Sequence, residues 1–175
     1  MNMMAETEQP DPARFLPVAG AVLLLARNAK TQANYKVGQL FDRIWPSLIR
    51  GHYCLYTQAS GRPVGFCNWI LVSREVLDEY LEDNRAIKPE DWDSGDIPFF
   101  PEMIAPEGHL RQITGDLREN IMVDRYPVAY SLRGISMDKD GNRPKQRVFK
   151  WRARSKSFLE SRNLVPSGDR NIRIL

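Results

Sequence analysis

The clearest periodic signal in the chain is a stripe of apolar residues between positions 37 and 48. Apolar side chains recur there at i, i+3, i+4, i+7, i+8 and i+11, the spacing of one face of an amphipathic helix. The members of the stripe are Val37, Leu40, Phe41, Ile44, Trp45 and Leu48. Pro46 predicts a kink or an early end of this helix. We interpret the stripe as a face that packs on the core.

A second apolar run, Phe15 to Ala26, predicts a short helix that packs against the body of the protein. Residues 1–12 contain few large apolar side chains, and we expect them to be disordered. The apolar run is far shorter than the ~20 residues that span a bilayer. Because the chain begins with acidic residues such as Glu6 and Glu8, it does not resemble a signal peptide. We therefore expect a cytoplasmic protein without a membrane span.

Two segments rich in aromatic and β-branched residues predict a β-hairpin. His52 to Gln58 and Val64 to Val72 flank the turn-forming run Ala59 to Pro63. In such a hairpin Cys54 and Cys67 lie opposite each other. Two cysteines are too few for a disulfide scaffold, and in a reducing compartment we expect two buried thiols rather than a cross-strand disulfide.

Two further helices follow from local signals. Ser73 is placed to cap a helix that ends near Asn84. Gly108 precedes a helix over about residues 109–120, whose apolar residues recur at helical spacing.

Three more strands complete the pattern. Phe99 to Ala105 predicts a buried strand in which Pro101 requires a bulge or an edge position. Tyr126 to Met137 and Lys145 to Ala153 predict a strand pair joined by a turn over Asp138 to Asn142.

This order of elements predicts an α/β (α+β) fold with a central, mostly antiparallel mixed sheet flanked by helices. A length of 175 residues suits one domain. We place the domain at residues 13–155, between the disordered start and a basic C-terminal tail over residues 156–175. The order is compatible with the acetyltransferase-like fold known as GNAT, although a fold does not by itself give a function.

Charge is distributed unevenly along the chain. The net charge is +3, yet residues 143–173 carry ten Lys or Arg against two acids, which leaves the rest of the chain at −5. Residues 143–173, called the basic strip below, are either a solvated tail or a docking surface for an acidic partner such as nucleic acid or a carrier protein. Nucleic acid is the less favoured partner because the strip lacks a recognisable binding motif. Residues 75–96 contain nine acidic residues against two basic ones. This acidic segment is either a solvated face or a surface that attracts a lysine-bearing substrate.

Four short runs recur in the order and spacing of a known family. The run Pro63 to Trp69 is similar to Pro-Val-Ala-Tyr-Cys-Ser-Trp, Glu90 to Asp96 is similar to an acidic Trp-Thr-Ser-Gly-Asp segment, and Ile104 to Gly108 is similar to Ile-Ala-Pro-Phe-Gly. Leu132 to Ile135 with Asp138 is similar to a late strand before a turn. Over residues 15–153 the chain thereby resembles the RTX toxin-activating lysine acyltransferases of the haemolysin C type.

The resemblance implies a GNAT-like fold and an N-acyltransferase that moves a fatty acyl chain from acyl carrier protein to a lysine-type amine of a polypeptide. The donor would be the acyl-phosphopantetheine of the carrier, with no permanently bound cofactor and no metal. The implied partners are acyl carrier protein and an acceptor, either an RTX protoxin or a ribosomally made precursor peptide. A homodimer is a further expectation.

The family's catalytic positions carry different residues in this chain. A His is expected two residues before an Asn-Trp pair, where this chain has Gln32 followed by Asn34 and Tyr35. An Asp is expected two residues before the Ile of Ile-Ala-Pro, where this chain has Glu102. The resemblance therefore implies a variant pair, Gln32 and Glu102.

Acyl transfer from a thioester to lysine needs a neutral amine, a polarised carbonyl and a proton for the leaving thiolate. Glu102 can accept a proton directly or through water, whereas Gln32 can orient a group but cannot titrate. His52 has a suitable intrinsic pKa, but a lone His at a strand start is more often structural. Cys67 lies in an apolar strand, which argues against a nucleophilic role because burial makes a thiol inert.

We predict that the stretch from Trp92 to Pro106 forms a substrate site rather than core. Its proposed binding residues are Trp92, Ser94, Asp96, Ile104 and Ala105, and Asn34 and Tyr35 after Gln32 are also predicted to bind the substrate or the carrier. Arg111 and Arg118, with the basic strip, are the predicted carrier contacts. The alternative function is a catalytically silent module that binds the carrier or a peptide after loss of the family's His.

Overall fold

The computed structural model describes residues 11–83, 85–123, 125–133, 147–154 and 171–175. The α-helices are α1 (Leu16–Arg27), α2 (Val37–Arg50), α3 (Arg74–Asp83) and α4 (Leu110–Asp116). The strands are β1 (Tyr53–Thr57), β2 (Pro63–Val72), β3 (Ile97–Ile104), β4 (Val128–Arg133), β5 (Arg147–Arg152) and β6 (Ile172–Ile174). Short 3-10 turns cover Pro12–Phe15, Gln32–Asn34 and Pro89–Trp92, and a π-helical turn, Leu117–Ile121, continues α4.

The six strands form one sheet in the order β5-β4-β3-β2-β1-β6. Three neighbouring pairs are antiparallel, whereas β3–β4 and β1–β6 are parallel. The predicted mixed, mostly antiparallel sheet with flanking helices is therefore confirmed. The predicted turn over 138–142, residues 1–10 and most of the basic strip lie outside the described residues.

Helices α1 and α2 pack on the core, as predicted, and the structure places both on the same face of the sheet. Helix α2 buries Leu40, Ile44, Ser47 and Leu48, and the three apolar side chains among them share one core cluster with the buried face of α1. The helix continues through Pro46 to Arg50, so the predicted early end is wrong. Two stripe members, Val37 and Phe41, are exposed, because the buried face of α2 turns toward positions 43 and 47. No helix within the described residues is long and apolar enough to cross a bilayer.

The β1–β2 hairpin has the predicted register. Cys54 pairs directly with Cys67, and both thiols are buried and free. The Ser73 hydroxyl accepts a hydrogen bond from the Val76 amide at 3.3 Å, which confirms the cap of α3. Local sequence signals were sufficient here because every partner lies within a few residues or across one tight turn.

Strand β3 contains the predicted bulge. Asn68 pairs with Glu102 but Ile70 pairs with Phe99, so two β3 residues, Phe100 and Pro101, oppose the single residue between them on β2. A strand has a side-chain period of two, and one inserted residue shifts that alternation. Since Phe100 packs in the cluster on the α4 side, the shift turns Glu102 toward α1 and α2. Strand β3 lies inside the sheet, so the edge alternative is excluded.

The parallel pair β3–β4 is short. Only Phe99 with Tyr130 and Phe100 with Ser131 are in register. Beyond these pairs the two strands separate, and Glu102 lies two residues past the last paired position of β3.

The end of the chain adds a strand that the sequence analysis did not predict. Strand β6 pairs with β1 in parallel, although its residues were assigned to the tail. Arg173 forms an ion pair with Asp116, and both side chains are largely buried. Tyr56 donates a hydrogen bond to the same carboxylate at 3.0 Å. A three-residue strand carries too little periodicity for detection, and contacts distant in sequence decide its position.

Candidate active site

A buried carboxylate lies where β3 and β4 separate. The side chain of Glu102 is 1% exposed. The Gln32 amide donates a hydrogen bond from Nε2 to Glu102 Oε2 at 2.8 Å. The structure therefore brings together the two residues predicted to replace the family's His and Asp, which lie 70 positions apart in the sequence. Their catalytic role stays a prediction.

Arg43 of α2 is the third member of this cluster, and the sequence analysis missed it. Its Nε donates to Glu102 Oε1, and a terminal nitrogen donates to the carbonyl of Pro101 at 3.2 Å. Burial acts to lower the pKa of Arg43, but the Glu102 carboxylate outweighs it and the pKa is raised. The sequence contains one signal that could have identified Arg43: it is a charged residue three positions after Leu40, at the border of the apolar stripe. A charge at that position requires a partner when the face packs on the core.

Asn68 of β2 holds the backbone around the cluster and was also missed. Its side chain is fully buried and accepts a hydrogen bond from the Glu102 amide at 3.1 Å. Its Nδ2 donates to the carbonyl of Arg43 at 2.8 Å and to the Ser47 hydroxyl at 3.1 Å. One amide side chain thus links β2, β3 and α2. The sequence signal for Asn68 is a polar residue inside an apolar strand, because a buried polar side chain requires hydrogen-bond partners.

A cavity of about 280 Å³ opens beside the carboxylate. Its polar end is formed by Gln32, Arg43 and Glu102, and apolar side chains form much of its remaining wall. The lining residues are Thr31, Gln32, Tyr35, Arg43, Phe100, Pro101, Glu102, Met103, Leu110, Ser131 and Leu132. The Tyr35 ring lies 5.8 Å from the Arg43 guanidinium, and burial, with Glu102 nearby, raises the pKa of its phenol. The cavity therefore combines a buried ion pair with apolar wall residues.

The structure does not bring His52 into this site. Its ring stacks on Trp69 at 5.8 Å, and it does not line the cavity. Burial lowers the pKa of His52, and the charges near it are Asp93 and Arg50 rather than Glu102. A structural role therefore fits its position. Among the described residues, no group of three or more His, Cys, Asp or Glu side chains is placed to hold a metal ion.

Cys67 has the inert setting that the sequence indicated. It is fully buried, and burial raises the pKa of its thiol well above the usual value. A thiol that stays protonated at neutral pH is a poor nucleophile.

Asn34, Ile104 and Ala105 support the site without lining the cavity. The Asn34 side chain donates to the Lys30 carbonyl at 2.9 Å and fastens the turn that carries Gln32. Ile104 is buried in the core under α1, whereas Ala105 packs against the cluster on the α4 side. Asn34 thus anchors the turn that carries Gln32, and Ile104 and Ala105 anchor the segment that follows Glu102.

The segment Trp92 to Asp96 is likewise absent from the cavity. Trp92 is buried in the core, and the Ser94 hydroxyl accepts from the Ser73 amide at 3.1 Å and donates to the Asp91 carbonyl at 3.0 Å. Asp96 is exposed and lies six residues before Glu102, about 20 Å along an extended strand. This part of the predicted substrate site therefore joins β2, α3 and β3 instead.

The close packing of this segment predicts a large effect of a small substitution at Gly95. A Cβ there would lie 2.5 Å from the Val72 carbonyl oxygen and from the Ser73 amide nitrogen. Since both are backbone atoms, we expect Gly95→Ala to lower the free energy of unfolding by about 1–3 kcal/mol, measured by urea denaturation. Gly20→Ala is the control, because a Cβ at that position in α1 meets nothing within 4 Å. Equal stability of the two variants would contradict the packing described here.

The two arginines predicted to contact a carrier differ in their surroundings. Arg111 is exposed on the first turn of α4, next to the cavity residue Leu110. Arg118 donates from Nε to the Arg152 carbonyl at 2.9 Å and ties the π-helical turn to β5. Arg118 therefore has a structural partner, whereas Arg111 is exposed and directly follows a residue that lines the cavity.

Comparison with known proteins relates this fold and site to one family. A family model described as the RTX toxin acyltransferase family matches residues 11–152. The lysine-acyltransferase RtxC of Vibrio cholerae serotype O1 is 38% identical over 123 residues, which cover 69% of this chain and 80% of that protein. The leukotoxin-activating lysine-acyltransferase LtxC of Aggregatibacter actinomycetemcomitans is 31% identical over 120 residues, 69% of this chain and 71% of its own length. The protein-lysine myristoyltransferase RtxC of Kingella kingae is 28% identical over 100 residues, 57% and 59% of the two chains. This chain belongs to the RTX toxin acyltransferase family.

Proposed function

We propose that this protein is an N-acyltransferase that moves a fatty acyl chain from acyl carrier protein to a lysine-type side-chain amine of a polypeptide. The observation that carries the proposal is the buried Gln32–Glu102 pair, which faces a cavity in a chain of the RTX toxin acyltransferase family. Such a donor implies a cytoplasmic protein. The predicted homodimer stays a prediction.

In the proposed reaction the acceptor nitrogen attacks the thioester carbonyl carbon. A carbon–nitrogen bond forms, the carbon–sulfur bond breaks, and the proton lost by the amine goes to the leaving thiolate. The products are an amide and a free carrier thiol. Positioning supplies much of the rate, because a thioester is already reactive toward an amine.

Glu102 is the proposed proton acceptor, directly or through one water molecule. Arg43 supplies the counter-charge that a buried carboxylate needs. Gln32 uses its Nε2 to bind Glu102, which leaves its carbonyl oxygen to accept a hydrogen bond from the attacking amine. Gln32 thus orients the nucleophile and Glu102 handles its proton.

The separation of β3 and β4 suits the thioester arm of the carrier. Pairing ends at Phe100 and Ser131, so the strand segments beyond have backbone groups that no longer bond to each other. Phosphopantetheine is an extended chain with amide groups, and such a chain can bind between strands through main-chain hydrogen bonds. The apolar cavity wall, which includes Met103, Leu110 and Leu132, would receive the first carbons of the acyl chain.

The names of the relatives indicate the acceptor class. One relative is named a leukotoxin-activating lysine-acyltransferase and another a protein-lysine myristoyltransferase. We propose a lysine of a toxin-type protein as the acceptor, and a short precursor peptide is the alternative to be tested beside it.

The test is a transfer assay with purified protein. Tetradecanoyl acyl carrier protein is incubated with a lysine-containing acceptor, and intact-mass spectrometry follows both partners. We expect the acceptor to gain the mass of one acyl chain while the carrier gains a free thiol. An acceptor in which the target lysine is replaced by arginine is the control. Binding of the acylated carrier without transfer to any acceptor would contradict the enzyme and favour a silent binding module.

A further inference from the structure

One wall of the cavity belongs to a segment that is basic and free of acids. Residues 12–41 contain four Lys or Arg and no Asp or Glu. Lys30 and Lys36 of this segment are exposed. Lys30 directly precedes Thr31 and Lys36 directly follows Tyr35, and both of these neighbours line the cavity. Two exposed cations are therefore next in sequence to residues that line the cavity on its α1–α2 side.

Arg111 adds a third exposed cation, next to the cavity residue Leu110. None of Lys30, Lys36 and Arg111 forms an ion pair with another described residue, whereas exposed Arg62 and Arg74 do. The acid that lines the cavity, Glu102, is buried against Arg43. One exposed acid, Asp42, directly precedes the cavity residue Arg43 and forms no ion pair with a described residue. The exposed residues next in sequence to the cavity lining, which we call the mouth of the cavity, therefore carry three cations against one acid.

This charge discriminates between the two substrates of the proposed reaction. A lysine-bearing acceptor is cationic and is repelled by such a mouth. An acidic protein that delivers an acyl arm is attracted, because complementary potentials accelerate encounter and fix orientation. The mouth therefore fits the donor better than the acceptor.

We propose that Lys30, Lys36 and Arg111 form the docking surface for the acidic face of the acyl carrier. This inference rests on the proposed function and assigns the carrier to the cavity mouth rather than to Arg118 or the basic strip. The three cations hold the carrier in place while its arm enters between β3 and β4. They do not take part in the chemical step.

The experiment compares two charge-matched double variants. Lys30→Glu/Arg111→Glu reverses one cation on each side of the mouth. Lys88→Glu/Arg125→Glu reverses two exposed cations that neither line the cavity nor adjoin a lining residue in the sequence. We expect the first variant to raise the KM for acyl carrier protein at least about tenfold with little change in kcat, and the second to change it little. Salt should lower kcat/KM of the native protein more steeply than that of the first variant.

A donor without a carrier protein separates docking from catalysis. Both variants should use a tetradecanoyl-pantetheine thioester as the native protein does. An unchanged KM for the carrier in Lys30→Glu/Arg111→Glu would overturn the proposal, and so would a raised KM for the acceptor alone. Carrier affinity is also measured directly by calorimetry. If neither donor supports transfer, the proposed function is wrong. The difference in carrier affinity between the two variants, measured by calorimetry, then still tests the docking surface.

Discussion

Arg43→Met is expected to lower the free energy of unfolding by about 3 kcal/mol. The substitution leaves Glu102, 1% exposed, without its counter-charge, and uncompensated buried charges cost about 3–5 kcal/mol. We take the lower end because the Arg43 side chain is itself 31% exposed. Urea denaturation at neutral pH measures the change.

Arg50→Met is the matched control on the same helix. Arg50 binds Asp93 at 2.7 Å, but that carboxylate is 59% exposed, so its loss should cost no more than about 1 kcal/mol. The double variant Arg43→Met/Glu102→Gln should recover most of the lost stability, since no charge is then buried alone. If Arg43→Met were no less stable than Arg50→Met, or if the double variant were the least stable of all, the ion pair would not stabilise the fold as described.

Glu102→Gln is expected to reduce kcat for acyl transfer by at least about 100-fold, since proton transfer by a positioned side chain contributes roughly 10²–10⁴. The substituted amide keeps the shape of the side chain but cannot accept the proton of the amine. Arg43 remains partly exposed and can be hydrated, so we expect a much smaller loss of stability than for Arg43→Met. Single-turnover transfer from acylated carrier measures the chemical step.

Glu107→Gln is the control for this variant. Glu107 lies five residues further along the chain, is 42% exposed and pairs with Arg62. Its loss should leave transfer unchanged. Carrier binding should remain intact in Glu102→Gln, because the proposed docking surface lies at the mouth of the cavity. If folded Glu102→Gln transferred the acyl chain at the native rate, Glu102 would be a structural residue and the proposed mechanism would be wrong.

The sequence predicted the elements whose signals are local. The β1–β2 hairpin brings Cys54 opposite Cys67, and Ser73 caps α3, because the partners are close in the chain. The pairing of Gln32 with Glu102 was predicted over a long separation, but from resemblance to a family rather than from physical signals. By contrast, the conspicuous polar segment from Trp92 to Asp96 was assigned to the site, although packing against β2 and α3 explains it.

By itself the sequence determined the helices α1 to α3 and the hairpin, since propensity and periodicity act over short distances. At Pro101 it left a bulge or an edge position open, and the departure from the family's catalytic pair followed from the resemblance. The tertiary structure chose the bulge, because β3 lies inside the sheet. The tertiary structure decided the environment of Glu102. The bulge turns its side chain toward α2, Arg43 reaches it from 59 positions away, and Asn68 holds its backbone from 34 positions away. A buried charge depends on partners that only folding brings within hydrogen-bonding distance.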